Sequence, residues 1–313
     1  ELIKDIPFIK GIIIEDFPWW VSVLYKKPKT VITRLPLYFY IPNFGGIVLS
    51  AKQLRIMQSL IAGIKDSFVF LSIYCYFCIF KTLLFLFVMN IHIVQHNIVS
   101  LNPEENLKWI LEELETPASK EALLTVFPAC TLGGYPLYGA VAYTDLQKRA
   151  QAVLQELVSH SEHRAFLIGM PLQIQDKGLC NALVFVQNNA IRGIITKKYL
   201  APDEQKYFVR GEGVQVIQYQ DQQLAIGFYE DLKELTKGNH DDLDMVICCG
   251  CNVFDYNKPY RIRYRMRKIV ENLNVAVVFA NRIGGEGQFL YAGGSMAFNA
   301  AGNVLCQFPY FEQ

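Results

Sequence analysis

From Met89 onward, short apolar runs alternate with polar stretches whose apolar residues recur at three- and four-residue spacing. That alternation constrains the fold more than any other feature, because it asks for strands and helices in turn, and so for an α/β architecture. Strands are expected at Asn90–Gln95, Leu123–Phe127, Ala165–Gly169, Ala182–Gln187, Leu224–Phe228, Met245–Cys249 and Val275–Ala280. A last pair, Gly294–Asn299 and Val304–Phe308, brackets Asn299–Asn303, a stretch suited to a hairpin turn. Helices are expected over Pro103–Glu115 (apolar stripe Leu107, Ile110, Leu111, Leu114), Thr144–Ser159 (Leu146, Val153, Leu154, Leu157, Val158) and Pro259–Asn272. Most of these strands are apolar on both faces, which places them inside, with helices over at least one side of the sheet. No internal repeat of 20–50 residues is visible.

Residues 1–88 are a different material. They carry ten Lys+Arg against five Asp+Glu, whereas residues 89–313 carry twenty against twenty-four. The near-neutral charge of the whole, +1, therefore averages two unlike segments and removes any global argument for a polyanion-binding protein. Residues 68–88 hold one charge, Lys81, in 21 residues, long enough for a membrane-spanning helix. Against a span, Lys81 lies past the middle of the tract. A span ending at Val88 would also tether the strand beginning near Met89 directly to lipid, so membrane contact through 68–88 is disfavoured. The early apolar patches are short and broken by Pro7 and Pro18, so a cleaved export signal is not expected. The expected location is cytoplasmic.

The eight cysteines lie in apolar runs without an even framework, and the chain is large enough to fold without disulfides, so reduced thiols are expected. Cys75 and Cys78 form a lone CxxC that reads as apolar packing. Cys248 and Cys249, adjacent on one strand, must point to opposite faces, which argues against a metal site with Cys251. No metal or cofactor is expected. His92 and His96, four residues apart, are expected on one face of the first strand as hydrogen-bonded core histidines. Arg261, Arg263, Arg265, Arg267 and Lys268, with Tyr260 and Tyr264 among them, are expected to spread around a helix as a solvated or subunit-interface surface, not as a nucleic-acid site. Gly284-Gly285-Glu286-Gly287 and Gly293-Gly294 fit no phosphate-cradle spacing and read as turns between strands.

Five stretches, in order, resemble the nitrilase (carbon–nitrogen hydrolase) superfamily, and within it the glutaminase domain of glutamine-dependent NAD synthetases. They are MNIHIVQHNIVSLNPEENL at 89–107, LLTVFPACTLGGYPL at 123–137, GIITKKYLAPDEQKYF at 193–208, LAIGFYEDL at 224–232 and NRIGGEGQFLYAGGSMAFNAAGNV at 281–304. The resemblance covers 89–313 and none of 1–88, and implies a four-layer αββα sandwich that pairs into homo-oligomers. It implies no nucleic-acid partner and a small amide or glutamine-like ligand.

The family works through a Glu–Lys–Cys triad, in which a thiolate attacks the amide carbonyl, a glutamate moves the proton and a lysine steadies the oxyanion. Carried over, the lysine is Lys197; the glutamate position is Ala129 and the cysteine position Tyr229. Ala129 moves no proton, which typically costs about 10²–10⁴ in rate. A phenol with an ordinary pKa of about 10 is protonated at neutral pH. Tyr229 is therefore expected to fill the acyl pocket without attacking from it. Tyr135, Glu204 and Glu230 are the candidate substrate-binding residues. Glu230 and Asp231 are alternatively expected to cap the following helical turn.

The expectation is a catalytically impaired relative that persists as a binding or assembly module. The competing reading is an active amidase or glutaminase using a displaced cysteine, for which Cys130, Cys248, Cys249 and Cys251 are the candidates, although small buried hydrophobes are the commoner fate of such residues. No pyrophosphate-binding Ser/Gly loop occurs in the 313 residues, so NAD synthesis by this chain alone is not expected.

Overall fold

In a computed structural model of the protein, the described residues are 89–135, 144–236 and 242–312. The apolar tract 68–88 and the Cys75/Cys78 pair lie outside them. Among the described residues no helix is long and apolar enough to cross a membrane.

The elements run β1 (Ile91–Ile93), α1 (Pro103–Glu115), α2 (Pro117–Glu121), β2 (Leu124–Val126), α3 (Thr144–Ser159), β3 (Ala165–Ile174), β4 (Gly178–Gln187) and β5 (Ala190–Thr196). A 3-10 turn at Glu204–Lys206 leads to β6 (Gln215–Tyr219) and β7 (Gln222–Phe228), and a second, at Asp231–Thr236, to β8 (Met245–Gly250). Then come α4 (Lys258–Leu273), β9 (Ala276–Asn281), β10 (Ile283–Glu286), β11 (Phe289–Ala292), β12 (Met296–Phe298) and β13 (Val304–Gln307).

The strands form two main sheets. One is ordered β1-β2-β3-β4-β5, the other β13-β12-β9-β8-β7-β6, and β10-β11 is a separate hairpin. The parallel strands β1-β2-β3 form one edge of the first sheet and continue into antiparallel β4 and β5, whereas β7-β8-β9 of the second are flanked on both sides by antiparallel strands. The sheets face each other across Leu124, Val126, Leu167, Leu183 and Phe185 on one side and Leu224, Ile226, Phe228, Ile247 and Val278 on the other. Phe185 meets Tyr219 edge-on across this interface at 5.4 Å, and the Tyr219 hydroxyl donates to Leu123 O at 2.6 Å. Each buried ring of this kind is worth up to about 3 kcal/mol of burial.

Helices cover the outer faces. Leu107, Ile110 and Leu114 of α1 and Ala150, Val153, Leu154 and Leu157 of α3 pack on the first sheet. Ile262, Met266, Ile269 and Val270 of α4, at i, i+4, i+7, i+8, pack on the second. The result is the expected αββα sandwich.

Local chemistry sets the ends. Asn102 caps α1 by accepting from Glu105 N at 3.2 Å, Pro103 occupies the first turn, and Thr116 with Pro117 stops the helix. Left-handed Asn274 (φ 53°) ends α4.

Several elements differ from expectation. The strand at Ala165 runs on to Ile174 and its partner starts at Gly178, because Asp176 and Gly178 adopt the positive φ of a tight turn. Strand β5 follows from Asn188-Asn189 (φ 48° and 56°), a two-residue hairpin turn, and β6 is a polar edge strand whose apolar alternation is weak. Gly284 and Gly285, expected in a turn, lie in β10; only Gly287 turns the hairpin, and a side chain on Gly284 would collide with Asn97. Strand β1 ends at Ile93, so His92 and His96 do not share a strand face. Both instead meet α1, His92 beside Glu113 at 2.9 Å and His96 stacked on Trp109 at 3.9 Å.

Candidate active site

Lys197 is the first residue beyond β5, and its N–H donates to Asn181 O on β4 at 2.8 Å. It is 6 % exposed, and a buried ammonium needs compensating charge. Glu204, wholly buried in the turn after β5, supplies it with both carboxylate oxygens, at 3.0 and 2.9 Å. Glu230, just past β7, adds Oε2 at 3.2 Å. Burial alone would lower the pKa of Lys197; Glu230 and Glu204 outweigh it and raise the pKa, so the lysine stays protonated. Glu204 is held in turn by Asn181 Nδ2 at 3.0 Å and Ala201 N at 2.7 Å.

The segment carrying Lys197 is clamped to the second sheet. Asp231 accepts from Lys198 N at 3.0 Å and from Tyr199 N at 2.8 Å. Glu230 and Asp231 thus differ from the capping role expected of them: one faces Lys197 and the other satisfies the backbone of residues 198 and 199 at the point where β5 ends and its own ladder can no longer do so.

The remaining expected positions divide. Ala129 lies in the interface between the sheets, buried, with its N–H on Gly250 O at 3.2 Å. The next residue, Cys130, has φ 61° and is 3.9 Å from Asn181 Oδ1, the same amide group that holds Glu204. Ala129 therefore sits at the corner beside the lysine cluster and offers it only a methyl group. Tyr135, packed edge-on against Phe289 at 6.0 Å, has its phenol pKa raised by burial and then by Glu204, with Lys197 opposing; it borders the same cluster.

Tyr229 does not fill the pocket. Its ring packs among the residues under α4, 6.1 Å from Phe279, with the Arg265 guanidinium 4.3 Å from its centroid. The cause is strand alternation carried one residue past β7. Phe228 points between the sheets and lies 5.7 Å from Lys197, so its neighbour must point out to the helix layer.

Alternation also separates the cysteines, with Cys248 among the helix-side residues and Cys249 between the sheets. Cys251 lies past the end of β8, beside Cys130 and Arg282. Burial would raise its pKa, but Cys130 and Arg282 beside it lower it, whereas Cys251 and burial push the Cys130 thiol up. Arg282 is itself wholly buried, pairing with Glu286 at 2.5 Å, donating to Ile98 O at 2.9 Å and stacking over Tyr291 at 4.2 Å.

Sequence reasoning missed Asn181, Arg282 and Glu286. Asn181 is an amide buried among the apolar residues of β4, whose other amide, Gln187, only ends the strand, and that anomaly was the readable sign. Arg282 and Glu286 sit four apart in a glycine-rich stretch with no period to place them inside. Among the described residues no group of three or more His, Cys, Asp and Glu is placed to hold a metal ion.

The chain matches the carbon-nitrogen hydrolase family over residues 90–313. The glutamine-dependent NAD(+) synthetase of Acinetobacter baylyi is 24% identical over 222 residues, covering 68% of this chain and 40% of that protein. That of Thermotoga maritima is 24% identical over 234 residues, covering 69% and 40%. The chain thus spans about two fifths of these relatives. Among solved structures, the glutamine-dependent NAD+ synthetase from Acinetobacter baumannii in complex with ADP superimposes with a TM-score of 0.65 at 21% identity, over 71% of this chain and 44% of that one. An amidase from Nesterenkonia sp. superimposes at 0.61 and 21% identity, over 71% and 86%. At this identity the structural likeness shows the fold.

Proposed function

Since this chain belongs to the carbon–nitrogen hydrolase family, we propose that its Lys197 pocket binds a small amide or glutamine-like ligand while hydrolysing it poorly or not at all. The observation that carries the reading is the split at the site: Lys197 is held charged by Glu204 and Glu230, whereas Ala129 presents a methyl group and Tyr229 turns its ring away to Arg265. A fixed ammonium can hold a carbonyl oxygen, and carboxylates at its flank can accept from an amino group. Neither supplies a nucleophile or relays a proton from one. The similarity to glutamine-dependent synthetases and to an amidase supports an amide as the ligand class.

The test is ammonia release from glutamine and simple amides by the full chain, with glutamine binding measured by calorimetry. Binding that is lost in Lys197→Ala, with no ammonia above background, is expected. Turnover abolished by Lys197→Ala would overturn the impaired reading. Ala129→Glu combined with Tyr229→Cys is expected to leave ammonia release near background, because position 229 points to the helix layer whatever side chain it carries; recovered turnover would show that the ring, and not the strand, sets that direction.

One feature favours a second reading, an active site with a displaced cysteine: Cys251 lies between the Cys130 thiol and the buried Arg282 guanidinium, which lower its pKa against burial. Under it, Cys251 reacts with iodoacetamide much faster than the other thiols and glutamine protects it; uniform slow labelling removes this reading.

A further inference from the structure

Two cysteines far apart in the chain meet between the sheets. The Ala129 N–H donates to Gly250 O at 3.2 Å, so the corner after β2 lies against the end of β8. The residue following each partner, Cys130 and Cys251, is thereby set beside the other in the same core. Cys130 is buried in the left-handed conformation of that corner, its thiol 3.9 Å from Asn181 Oδ1. Cys251 is half-buried, one residue past β8. Strand β3 presses on the same corner, since a side-chain carbon at Gly169 would come within 2.4 Å of Cys130 N, and this holds the Cys130 backbone in place.

The surroundings of the pair are polar and incompletely satisfied. Arg282, Tyr291 and Glu286 border Cys251, and each is buried. Arg282 directs its two terminal nitrogens to Glu286 Oε2 and Ile98 O. Its Nε, the Tyr291 hydroxyl and Glu286 Oε1 have no hydrogen-bond partner among the described residues. Buried polar atoms are seldom left alone, so two donors and an acceptor are offered to a small polar guest beside the thiols. The thiols also differ from one another. Cys251 and burial push the Cys130 thiol up, and burial does the same to Cys180, Cys248, Cys249 and Cys306. Cys251 alone of the six described cysteines is lowered against burial, by Cys130 and Arg282. A thiolate next to a protonated thiol is the arrangement in which one sulfur attacks an electrophile and the second closes on it.

A hydroperoxide suits this place. It is small enough to reach a half-buried sulfur, its oxygens accept from a guanidinium or a phenol, and its O–H donates to a carboxylate. We propose that Cys251 and Cys130 form an oxidation site, at which a hydroperoxide converts the pair to a disulfide. The Cys251 thiolate attacks one peroxide oxygen; an S–O bond forms and the O–O bond breaks. The departing oxygen takes up the proton that the thiol had released, and leaves as water or, from an organic peroxide, as an alcohol. Cys130 then attacks the sulfenic sulfur; the S–S bond forms, the S–O bond breaks, and hydroxide leaves with the Cys130 proton as water. The two sulfurs lose two electrons and the peroxide gains them. An external thiol restores the pair by exchange. The proposal rests neither on amide binding at Lys197 nor on hydrolysis through Cys251.

Titration of the reduced full chain with hydrogen peroxide tests it, each thiol being followed by peptide mapping after rapid alkylation, with no amide present. A linked Cys130–Cys251 peptide is expected to form at least about tenfold faster than Cys180, Cys248, Cys249 or Cys306 is modified. In Cys130→Ser, dimedone is expected to capture a sulfenic acid on Cys251; in Cys251→Ser, Cys130 is expected to stay reduced. Serine differs from cysteine by one atom, and melting temperature checks that each variant folds. Even oxidation of the described thiols would overturn the proposal. So would a bridge from Cys130 or Cys251 to any other cysteine, or a folded Cys130→Ser that gives no dimedone adduct. A Cys251 that glutamine protects from iodoacetamide yet that is inert to peroxide would remove this proposal and leave the displaced-nucleophile reading standing.

Discussion

The two main sheets both join three parallel strands to antiparallel ones, yet they differ in what they place near Lys197. The first sheet carries polar residues there: Lys197 after β5, Asn181 on β4 and Glu204 in the turn after β5 form one buried hydrogen-bonded cluster. On the second sheet, the position after β7 is an aromatic that has joined the helix layer. The difference follows from what each residue does for the fold. Deleting one member of a buried ion cluster strands its partners, so each member of that cluster supports the fold as well as the site. A residue at a strand end beside a helix is free to become whatever packs best there.

The sharpest way to break this contrast is Lys197→Met, which leaves Glu204 buried and unpaired. A loss of about 3–5 kcal/mol is expected in denaturant unfolding, and a near-neutral result would mean the cluster is not what preserves the lysine. The pH dependence has a definite sign. The folded pKa of Lys197 is raised above its ordinary value of 10.5, so its contribution is complete below that pH and disappears as pH rises through the folded value. The gap between the wild type and Lys197→Met should narrow in strong alkali.

Asp231→Ala removes the acceptor of two backbone N–H groups that join the sheets, with an expected cost of about 1–3 kcal/mol per group left unsatisfied. Tyr229→Phe keeps the ring on Arg265 and Phe279 and should change stability by less than about 0.5 kcal/mol. A larger loss would show the hydroxyl to be engaged, weakening the view of Tyr229 as a packing residue. The smallest effect belongs to the exposed carboxylate of Glu115, whose pKa is pushed down to about 2 by Lys120 and then Arg164. Its contribution is present above about 4.5 and lost as pH falls toward 2, visible only as a slight extra slope in acid titration of the wild type against Glu115→Gln.

Much of this was legible in the residues. Helices α1 and α3 were bounded by Pro103 and by stripes of apolar residues long enough to fix both period and length. Strands β5 and β6 escaped because β5 carries Arg192 and Gly193 and β6 is mostly polar; both depend on neighbours, not on their own pattern. Lys197, Glu204 and the absence of an acid at 129 were read from the chain. The direction of Tyr229 was not, since it depends on where β7 ends relative to its alternation. The partners Asn181 and Arg282 act across 23 and 184 residues of chain, to Glu204 and Ile98, separations that local pattern does not reach.

One glycine explains how the corner could change hands quietly. A side-chain carbon at Gly169 would come within 2.4 Å of Cys130 N and 2.6 Å of Ala129 Cα, so β3 runs directly against the backbone of that corner. The corner's position is thus inherited from the strand beneath it and not from the residue that occupies it. A change of side chain at 129 would therefore leave the main chain of the corner where it is, while a side chain at 169 would push the corner off the strand.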